Sequence, residues 1–136
     1  MKSPLLVVAA IILKGEKILL AKRPMTKTLP GMWEFPGGKV ESGESLEKAL
    51  KRELFEELHL SIKVQHRLGR YFHTYDWGEL EMVVFIVTPM NEPRLTSEVA
   101  GVEWMAQGDI DPGLLAPADR LPLLDFLKWN SDQSRT

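Results

Sequence analysis

One stretch of this chain, GKVESGESLEKALKRELFEELHL between Gly38 and Leu60, limits the possible folds more than any other. If residues 45–58 form a helix, Glu53, Glu56 and Glu57 are spaced three and four residues apart, so three carboxylates share one helix face. Like charges at these spacings destabilise a helix by a few tenths of a kcal/mol per pair, and a divalent cation would offset that repulsion. A solvated acidic face is the alternative interpretation.

An apolar stripe beside the acidic face favours the metal interpretation. Leucines recur every four residues, at Leu46, Leu50, Leu54 and Leu58, so the helix is expected to be fixed against a core. Just upstream, WEFPGG at residues 33–38 has the pattern of a strand that ends in a Pro-Gly-Gly break, which would present backbone carbonyls near the acidic face. Carboxylate and carbonyl oxygens are the ligands that hard divalent cations prefer.

The spacing of these residues resembles the signature of the Nudix hydrolases over residues 38–60. That signature is a glycine, five residues, a glutamate, seven residues, Arg-Glu, an aliphatic residue, any residue, Glu-Glu, any residue, a glycine and an aliphatic residue. The positions in register are Gly38, Glu44, Arg52, Glu53, Leu54, Glu56, Glu57 and Leu60. His59 stands where the signature has its second glycine. We expect His59 to end the helix in the left-handed conformation, which histidine tolerates better than most side chains, rather than to bind a metal.

The resemblance extends beyond this stretch. The phrases LLAKRP, WEFPGGKVE and GVEWM, together with the order of predicted elements, are most similar to the MutT-type nucleoside triphosphate pyrophosphohydrolases of that family. The resemblance implies the Nudix fold, an α+β fold in which an α/β/α sandwich is built around a mixed β-sheet.

Hydrophobic periodicity predicts six strands and two helices, an order that fits an α+β sandwich. The strands are expected near residues 5–13, 17–21, 32–35, 61–71, 80–87 and 102–105, and the helices near residues 45–58 and 120–129. Ser45 is the expected N-cap of the first helix. The polar residues 130–136 are expected to form a flexible tail.

Composition predicts one domain over residues 1–136, because the chain is 44% hydrophobic and 26% charged. The formal net charge of -2 gives no basic surface, so nucleic acid is not an expected partner. The chain has no cysteine, which excludes disulfides and is compatible with a cytoplasmic location. The apolar run Leu5–Leu13 is too short to cross a membrane and leads through a charged turn into a second apolar run, so we expect a buried hairpin rather than a secretory signal.

The resemblance implies a site for Mg²⁺, with Mn²⁺ as a possible substitute. Its expected ligands are the Gly37 carbonyl and the side chains of Glu53, Glu56, Glu57 and Glu98. Glu98 lies in a loop, where a solvated charge is the alternative. Glu53 is the first choice for the general base, with Glu56 and Glu98 left open. Arg52 is expected to pair with Glu44 and orient the site; the alternative for Arg52 is an ordinary surface ion pair with Glu56, four residues further on.

Four residues are expected to bind the substrate, namely Arg23, Phe35, Gly38 and Asp119. A guanidinium at Arg23 would give bidentate contacts to phosphate, whereas a cation at a strand end is the plain alternative. An ionised Asp119 would accept hydrogen bonds from a nucleobase, or it would N-cap the last helix with Pro122 in the first turn. The rings of Phe35, Trp33 and Tyr71 would stack on a base or fill the core.

The resulting hypothesis is a magnesium-dependent enzyme that hydrolyses nucleoside triphosphates to the monophosphate and pyrophosphate, with 8-oxo-dGTP as the first choice of substrate. A pyrimidine enzyme acting on CTP or dCTP is the alternative within the same class. A nucleotide-sensing module without activity is the alternative from another class, and it would be expected to have a damaged acidic cluster. The expected partner is a small nucleotide rather than nucleic acid or a membrane, and the chain is expected to be a monomer or a homodimer.

Overall fold

Two apolar strands form the middle of the fold. In the computed structural model, which describes residues 3–133, β1 (Leu5–Lys14) runs parallel to β6 (Gly78–Pro89) over eight paired positions from Leu5↔Leu80 to Ile12↔Val87. Because successive side chains of a strand point to opposite faces, β1 buries Val8, Ala10 and Ile12 in one core and its intervening residues in another. Strands buried on both faces read as continuous apolar runs, which explains the sequence LLVVAAIIL.

The remaining strands extend this pair in both directions. They are β2 (Lys17–Lys22), β3 (Trp33–Glu34), β4 (Gly37–Lys39), β5 (Ile62–Tyr75) and β7 (Gly101–Ala106). The sheet has the order β3-β2-β1-β6-β5, while β4 pairs with β1 and β7 pairs with β2. Every strand pair in the described chain except β1–β6 is antiparallel, so the sheet is mixed.

One helix covers each face of the sheet. Helix α1 (Leu46–Leu58) buries Ala49, Leu50, Leu54 and Leu58 against the first core. Helix α2 (Pro117–Gln133) buries Ala118, Leu123 and Phe126 against the second. The predicted α/β/α sandwich around a mixed sheet is therefore confirmed.

Both ends of α1 agree with the sequence-based prediction. The Ser45 hydroxyl accepts a hydrogen bond from the Lys48 amide at 3.2 Å, as an N-cap does. His59 has φ 50° and ψ 33°, and its amide bonds to the Leu54 and Phe55 carbonyls. His59 is thus the left-handed cap that replaces the signature glycine.

Three predicted elements need correction. The Pro-Gly-Gly sequence was expected to end the preceding strand without forming another. Instead, residues 37–39 form the short strand β4, because their backbone pairs with β1. Helix α2 begins at Pro117 rather than near residue 120, since proline suits the first helical position. Pro122 consequently lies in the second turn, where its missing N–H removes a helical hydrogen bond.

The predicted flexible tail, residues 130–136, is partly helical. Residues 130–133 belong to α2, and the Asn130 side chain donates to Gln107 Oε1 at 2.9 Å. The last three residues of that predicted tail, 134–136, lie outside the described residues. Between residues 3 and 133, neither helix combines the length and the apolar character that a membrane crossing requires.

Candidate active site

The acidic residues singled out in the sequence meet at one cavity. This cavity, called the acidic cavity below, has a volume of about 540 Å³, and six glutamates line it: Glu34, Glu41, Glu53, Glu56, Glu57 and Glu98. All five predicted metal ligands, including Gly37, are among its lining residues. Among residues 3–133, no three His, Cys, Asp or Glu side chains are already close enough together to hold a metal ion. Binding a cation therefore requires these carboxylates to converge.

Glu57 shows that a cation fits this cavity. Its side chain is 8% exposed, and its Oε1 is buried without a hydrogen-bond partner. Burial, and then the negative charges of Glu34, Glu53 and Glu98, raise the pKa of Glu57 to about 8. A buried, unpartnered carboxylate oxygen among other carboxylates is unfavourable in free energy unless a proton or a metal ion neutralises it. The oxygen-only donor set suits a hard ion such as Mg²⁺ or Mn²⁺.

The loop that carries Glu98 is held against the end of α1. The Thr96 hydroxyl donates to the Glu57 carbonyl at 2.6 Å, and the Arg94 amide donates to the Leu58 carbonyl at 2.7 Å. Val99 is buried in the core beside α1. These contacts explain how a residue distant in sequence reaches the acidic cavity. The Glu98 side chain itself is exposed and lines the acidic cavity, so its site role stays a prediction.

Arg52 connects the signature loop to the acidic helix face. Its guanidinium donates to both carboxylate oxygens of Glu44, at 2.7 and 2.8 Å, and to the Lys39 carbonyl at 2.9 Å. It also donates to Glu53 at 2.9 Å and to Glu56 at 3.2 Å. The hydrogen bonds from Arg52 and from the Glu41 amide lower the pKa of Glu44 to about 2. The pairing expected between Arg52 and Glu44 is present, and it is one part of a larger network.

The two glycines of β4 allow the strand to approach its neighbours closely. A Cβ atom at Gly37 would overlap the Val8 carbonyl oxygen, which is rigid backbone. A Cβ atom at Gly38 would overlap the carboxylate of Glu53 instead. Gly38 therefore leaves the space in which the proposed general base lies. Burial raises the pKa of Glu53, and the Arg52 contact opposes that rise.

A second cavity, called the aromatic cavity below, lies on the α2 side and has a volume of about 330 Å³. Its lining residues include the four predicted substrate-binding residues, Arg23, Phe35, Gly38 and Asp119, together with Tyr75 and Trp77. The Tyr75 and Trp77 rings are stacked, with centroids 5.7 Å apart and planes at 21°. Trp77 is 50% exposed, so it offers ring surface to a ligand.

Asp119 is buried at the inner end of the aromatic cavity. It is 5% exposed, and its Oδ2 accepts a hydrogen bond from the Phe35 amide at 3.2 Å. Since α2 begins at Pro117, Asp119 lies in the first turn, and the N-cap alternative is wrong. Burial, with a contribution from the charge of Glu34, raises the pKa of Asp119 well above its usual range. This rise favours the neutral carboxyl group relative to an ordinary aspartate, and a neutral carboxyl group carries a donor as well as an acceptor.

The three rings considered for base stacking are not equivalent in the structure. Phe35 is 3% exposed and belongs to the second core, although it also lines the aromatic cavity. Trp33 packs against the same core. The Tyr71 hydroxyl donates to Asp125 at 2.8 Å, and its ring packs against the second core, as the core alternative for Tyr71 expects.

Arg23 lies where the two cavities meet, and its guanidinium already has protein partners. Nη1 donates to Glu34 Oε2 at 2.7 Å, Nε donates to the Thr28 carbonyl at 2.7 Å, and Nη2 donates to the Thr28 hydroxyl at 3.1 Å. Five residues line both cavities: Arg23, Glu34, Gly37, Gly38 and Lys39. A ligand that extends from one cavity into the other must pass them.

Several lining residues escaped the sequence analysis, among them Glu34, Tyr75 and Trp77. Glu34 directly precedes the buried residue Phe35. Because successive side chains of an extended chain point to opposite faces, Glu34 is predicted to point away from the second core, toward the acidic cavity. Tyr75 and Trp77 flank the turn between β5 and β6, where exposed aromatics typically mark binding surfaces. Both signals are present in the sequence, but neither indicates a cavity without the tertiary fold.

Comparisons with known proteins agree with this arrangement. The family model described as "NUDIX domain" matches residues 4–127. A Mycobacterium tuberculosis H37Rv protein named putative 8-oxo-dGTP diphosphatase 2 is 49% identical over 135 residues, covering 96% of this chain and 89% of that protein. The Escherichia coli K12 protein named CTP pyrophosphohydrolase is 38% identical over 127 residues, covering 88% of this chain and 87% of that protein.

A solved structure has the same architecture. The crystal structure of the MutT NUDIX hydrolase from Burkholderia pseudomallei superposes with a TM-score of 0.84 at 28% sequence identity. The match covers 91% of this chain and 98% of that one.

Proposed function

Because this chain belongs to the NUDIX domain family and is a pyrophosphohydrolase of that family, we propose that it hydrolyses nucleoside triphosphates, with 8-oxo-dGTP as the preferred substrate. The products are the nucleoside monophosphate and pyrophosphate. The observation that carries the proposal is the junction of two unlike cavities, one acidic and one aromatic, that share five lining residues. A nucleobase suits the aromatic cavity, and a metal-bound triphosphate suits the acidic one.

Nudix hydrolases generally use divalent metal ions, and we propose Mg²⁺, with Mn²⁺ as a substitute, held by Glu53, Glu56, Glu57, Glu98 and the Gly37 carbonyl. When bound, the ion supplies neutralising charge and a polarised water. The buried, unpartnered oxygen of Glu57 supports this assignment.

Glu53 accepts the proton of the attacking water in the proposed reaction. Its burial raises the pKa of the carboxyl, which makes the carboxylate a better base near neutral pH. The water oxygen bonds to the β phosphorus, and the bond from that phosphorus to the α–β bridging oxygen breaks. The bridging oxygen leaves with the monophosphate, and the water oxygen stays in pyrophosphate. Glu56 and Glu98 are the alternatives for the base.

Arg52 and Glu44 orient the general base. Arg52 contacts Glu53 directly at 2.9 Å and is itself fixed by two hydrogen bonds to Glu44. Because a positively charged donor on one oxygen of Glu53 restricts its rotation, the other oxygen is directed toward the water.

Base recognition is assigned to Asp119, with Tyr75 and Trp77 as the stacking surface. An ionised Asp119 only accepts hydrogen bonds, whereas its neutral form, which burial favours, also donates one; both 8-oxoguanine and cytosine offer complementary edges. The second candidate substrate is therefore CTP or dCTP, and the relative named CTP pyrophosphohydrolase favours it. The intact acidic cluster and the family membership leave no support for the module without activity.

A panel of triphosphates tests this proposal. Pyrophosphate release is measured for 8-oxo-dGTP, dGTP, CTP and dCTP with Mg²⁺ and with Mn²⁺, and the substrates are ranked by kcat/KM. We expect 8-oxo-dGTP to rank first. A higher rank for CTP selects the pyrimidine alternative, and no pyrophosphate from any substrate contradicts the proposed reaction. In ¹⁸O-labelled water, label in pyrophosphate supports attack at the β phosphorus, whereas label in the monophosphate refutes it.

A further inference from the structure

We propose that Glu34 is a positioning residue that fixes the Arg23 guanidinium between the two cavities, so that Arg23 meets the phosphate chain of the substrate in one orientation. The inference rests on the proposed function, because it takes Arg23 as a phosphate contact. It adds a residue that neither the signature spacing nor the expected substrate site contains.

The first support is the location of Glu34. It lies on β3, paired with Ala21 of β2, and the chain continues from β2 directly to Arg23. Arg23 is two residues beyond the partner of Glu34, close enough for the two side chains to meet in a 2.7 Å contact. Both line both cavities, and both are largely buried, with 20% of Arg23 and 25% of Glu34 exposed.

The second support is the number of donors that Arg23 keeps. A guanidinium has five N–H donors, and Glu34 and Thr28 together occupy three of them. One hydrogen on Nη1 and one on Nη2 take no part in these three bonds, so each terminal nitrogen keeps a donor for phosphate. Because the three bonds involve all three guanidinium nitrogens, they fix the plane of the group.

The third support is the electrostatic cost of a carboxylate at this place. Glu34 adds a negative charge where a polyphosphate is expected, and it also contributes to the raised pKa values of Glu57 and Asp119. Such a charge weakens anion binding unless another interaction compensates. The 2.7 Å charge-assisted bond to Arg23 is the compensating interaction that the structure shows.

Two other roles for Glu34 make different predictions. As an additional metal ligand, Glu34 would change metal affinity when replaced. As a residue that only stabilises the fold, it would change thermal stability, and its effect on catalysis would not depend on Arg23. A positioning role requires that the loss of kcat/KM caused by replacing Glu34 disappear when Arg23 is absent.

The experiment is a double-mutant cycle on the full chain. Glu34→Ala and Glu34→Gln are made alone and together with Arg23→Ala, and Glu103→Gln serves as the matched control. Glu103 is an exposed glutamate on β7 that lines neither cavity. The measurements are kcat and KM for pyrophosphate release from 8-oxo-dGTP, Mn²⁺ affinity by calorimetry, and thermal unfolding.

We expect Glu34→Ala to lower kcat/KM about tenfold or more, with a smaller loss for Glu34→Gln, which keeps a neutral acceptor. In the Arg23→Ala background, Glu34→Ala should no longer lower kcat/KM, and any change should be a rise, because the carboxylate then lacks its compensating cation. Mn²⁺ affinity should stay within about twofold of the wild type in both Glu34 variants. Losses that multiply across the two sites, or a tenfold weaker Mn²⁺ affinity, would overturn the proposal.

An NMR measurement separates this inference from the proposed reaction. The Arg23 Nε–H resonance is followed while inorganic tripolyphosphate is added. We expect a sharp resonance that shifts in the wild type and in Glu103→Gln, and a broadened one in Glu34→Ala and Glu34→Gln. An unchanged resonance in both Glu34 variants refutes the positioning role. If the wild type hydrolyses no triphosphate, the proposed function fails, whereas the NMR comparison still decides whether Glu34 fixes Arg23.

Discussion

The acidic and aromatic cavities share five lining residues, yet they are assembled in different ways. Most of the acidic cavity comes from β4, α1 and the loop between them, so its residues lie within a short stretch of sequence. The aromatic cavity collects residues from β1, β3, both sides of the β5–β6 turn, and α2. Local sequence therefore determines most of the proposed reacting groups, while tertiary packing determines the proposed base-binding surface.

The largest effect is expected from Glu53→Gln, which tests whether the acidic cavity performs the chemistry. Replacing a general base typically costs 10²–10⁴-fold in rate, so we expect kcat for pyrophosphate release to fall by roughly that factor. The amide of glutamine is close in size and can still accept from Arg52, so the fold should persist. Steady-state kinetics and thermal unfolding measure the two properties separately.

Glu47→Gln is the matched control for this variant. Glu47 lies in the first turn of the same helix, is exposed, and lines neither cavity. Its replacement should leave kcat unchanged. Full activity in Glu53→Gln would transfer the base assignment to Glu56 or Glu98.

The contrast between the cavities also explains what the sequence could predict. Glu53, Glu56 and Glu57 were placed on one face because a helix repeats every 3.6 residues, and the leucine stripe fixed which face is buried. The apolar runs of β1 and β6 likewise predicted strands. Local periodicity thus predicted the elements of an α+β sandwich and the acidic face of α1, whereas the resemblance to the Nudix hydrolases implied the metal-ligand set that includes Gly37 and Glu98.

The features that were missed depend on contacts between distant residues. Tyr71 and Tyr75 lie on the same face of β5 against the second core, yet only Tyr75 lines a cavity, because they meet different parts of α2. The Tyr75 hydroxyl accepts from the Ala118 amide at the start of α2, whereas the Tyr71 hydroxyl donates to Asp125 further along that helix. The burial of Asp119 follows from the packing of α2 on the sheet and from the Phe35 amide 84 residues away in sequence. Neither property is visible in a window of adjacent residues.

The second prediction concerns pH and uses the metal-free protein in EDTA. The pKa of Glu57 is about 8 in the folded protein, against 4.5 for an ordinary glutamate. The folded state therefore holds the proton more tightly than the unfolded state, and stability is lost as pH rises from about 4.5 to about 8. At 1.36 kcal/mol per pKa unit, the loss is on the order of 3–5 kcal/mol.

Urea unfolding at pH 5 and pH 8.5 measures this difference in the free energy of unfolding. Glu57→Gln carries no titrating proton at this position, so its free energy of unfolding should depend less on pH over the same range. Mn²⁺ should restore stability to the wild type at the higher pH and have a smaller effect on the variant. Equal pH dependence in both proteins would contradict the raised pKa of Glu57.

The third prediction separates two adjacent glycines at the boundary of the cavities. Gly37→Ala places its Cβ against the rigid Val8 carbonyl, whereas Gly38→Ala places it against the movable Glu53 carboxylate. Overpacking typically costs about 1–3 kcal/mol, so Gly37→Ala should lose the most stability. Gly38→Ala should lose less stability but about tenfold or more in kcat, because the base is displaced. Gly108→Ala, which meets no neighbouring atom, is the control in both assays.

The smallest effect is expected on the aromatic side, from Trp77→Ala. Base–aromatic stacking contributes about 1–3 kcal/mol, and because Trp77 is half exposed we expect the lower end, a rise in KM of about 5–10-fold with kcat nearly unchanged. Phe72→Ala is the control, since Phe72 is an equally exposed aromatic on β5 that lines neither cavity. The Mn²⁺ affinity of Trp77→Ala should equal that of the wild type, because its ring does not line the acidic cavity. A fall in kcat for Trp77→Ala would contradict a role for the aromatic cavity in binding alone. An equal rise in KM for Phe72→Ala would show that the effect is not specific to the aromatic cavity.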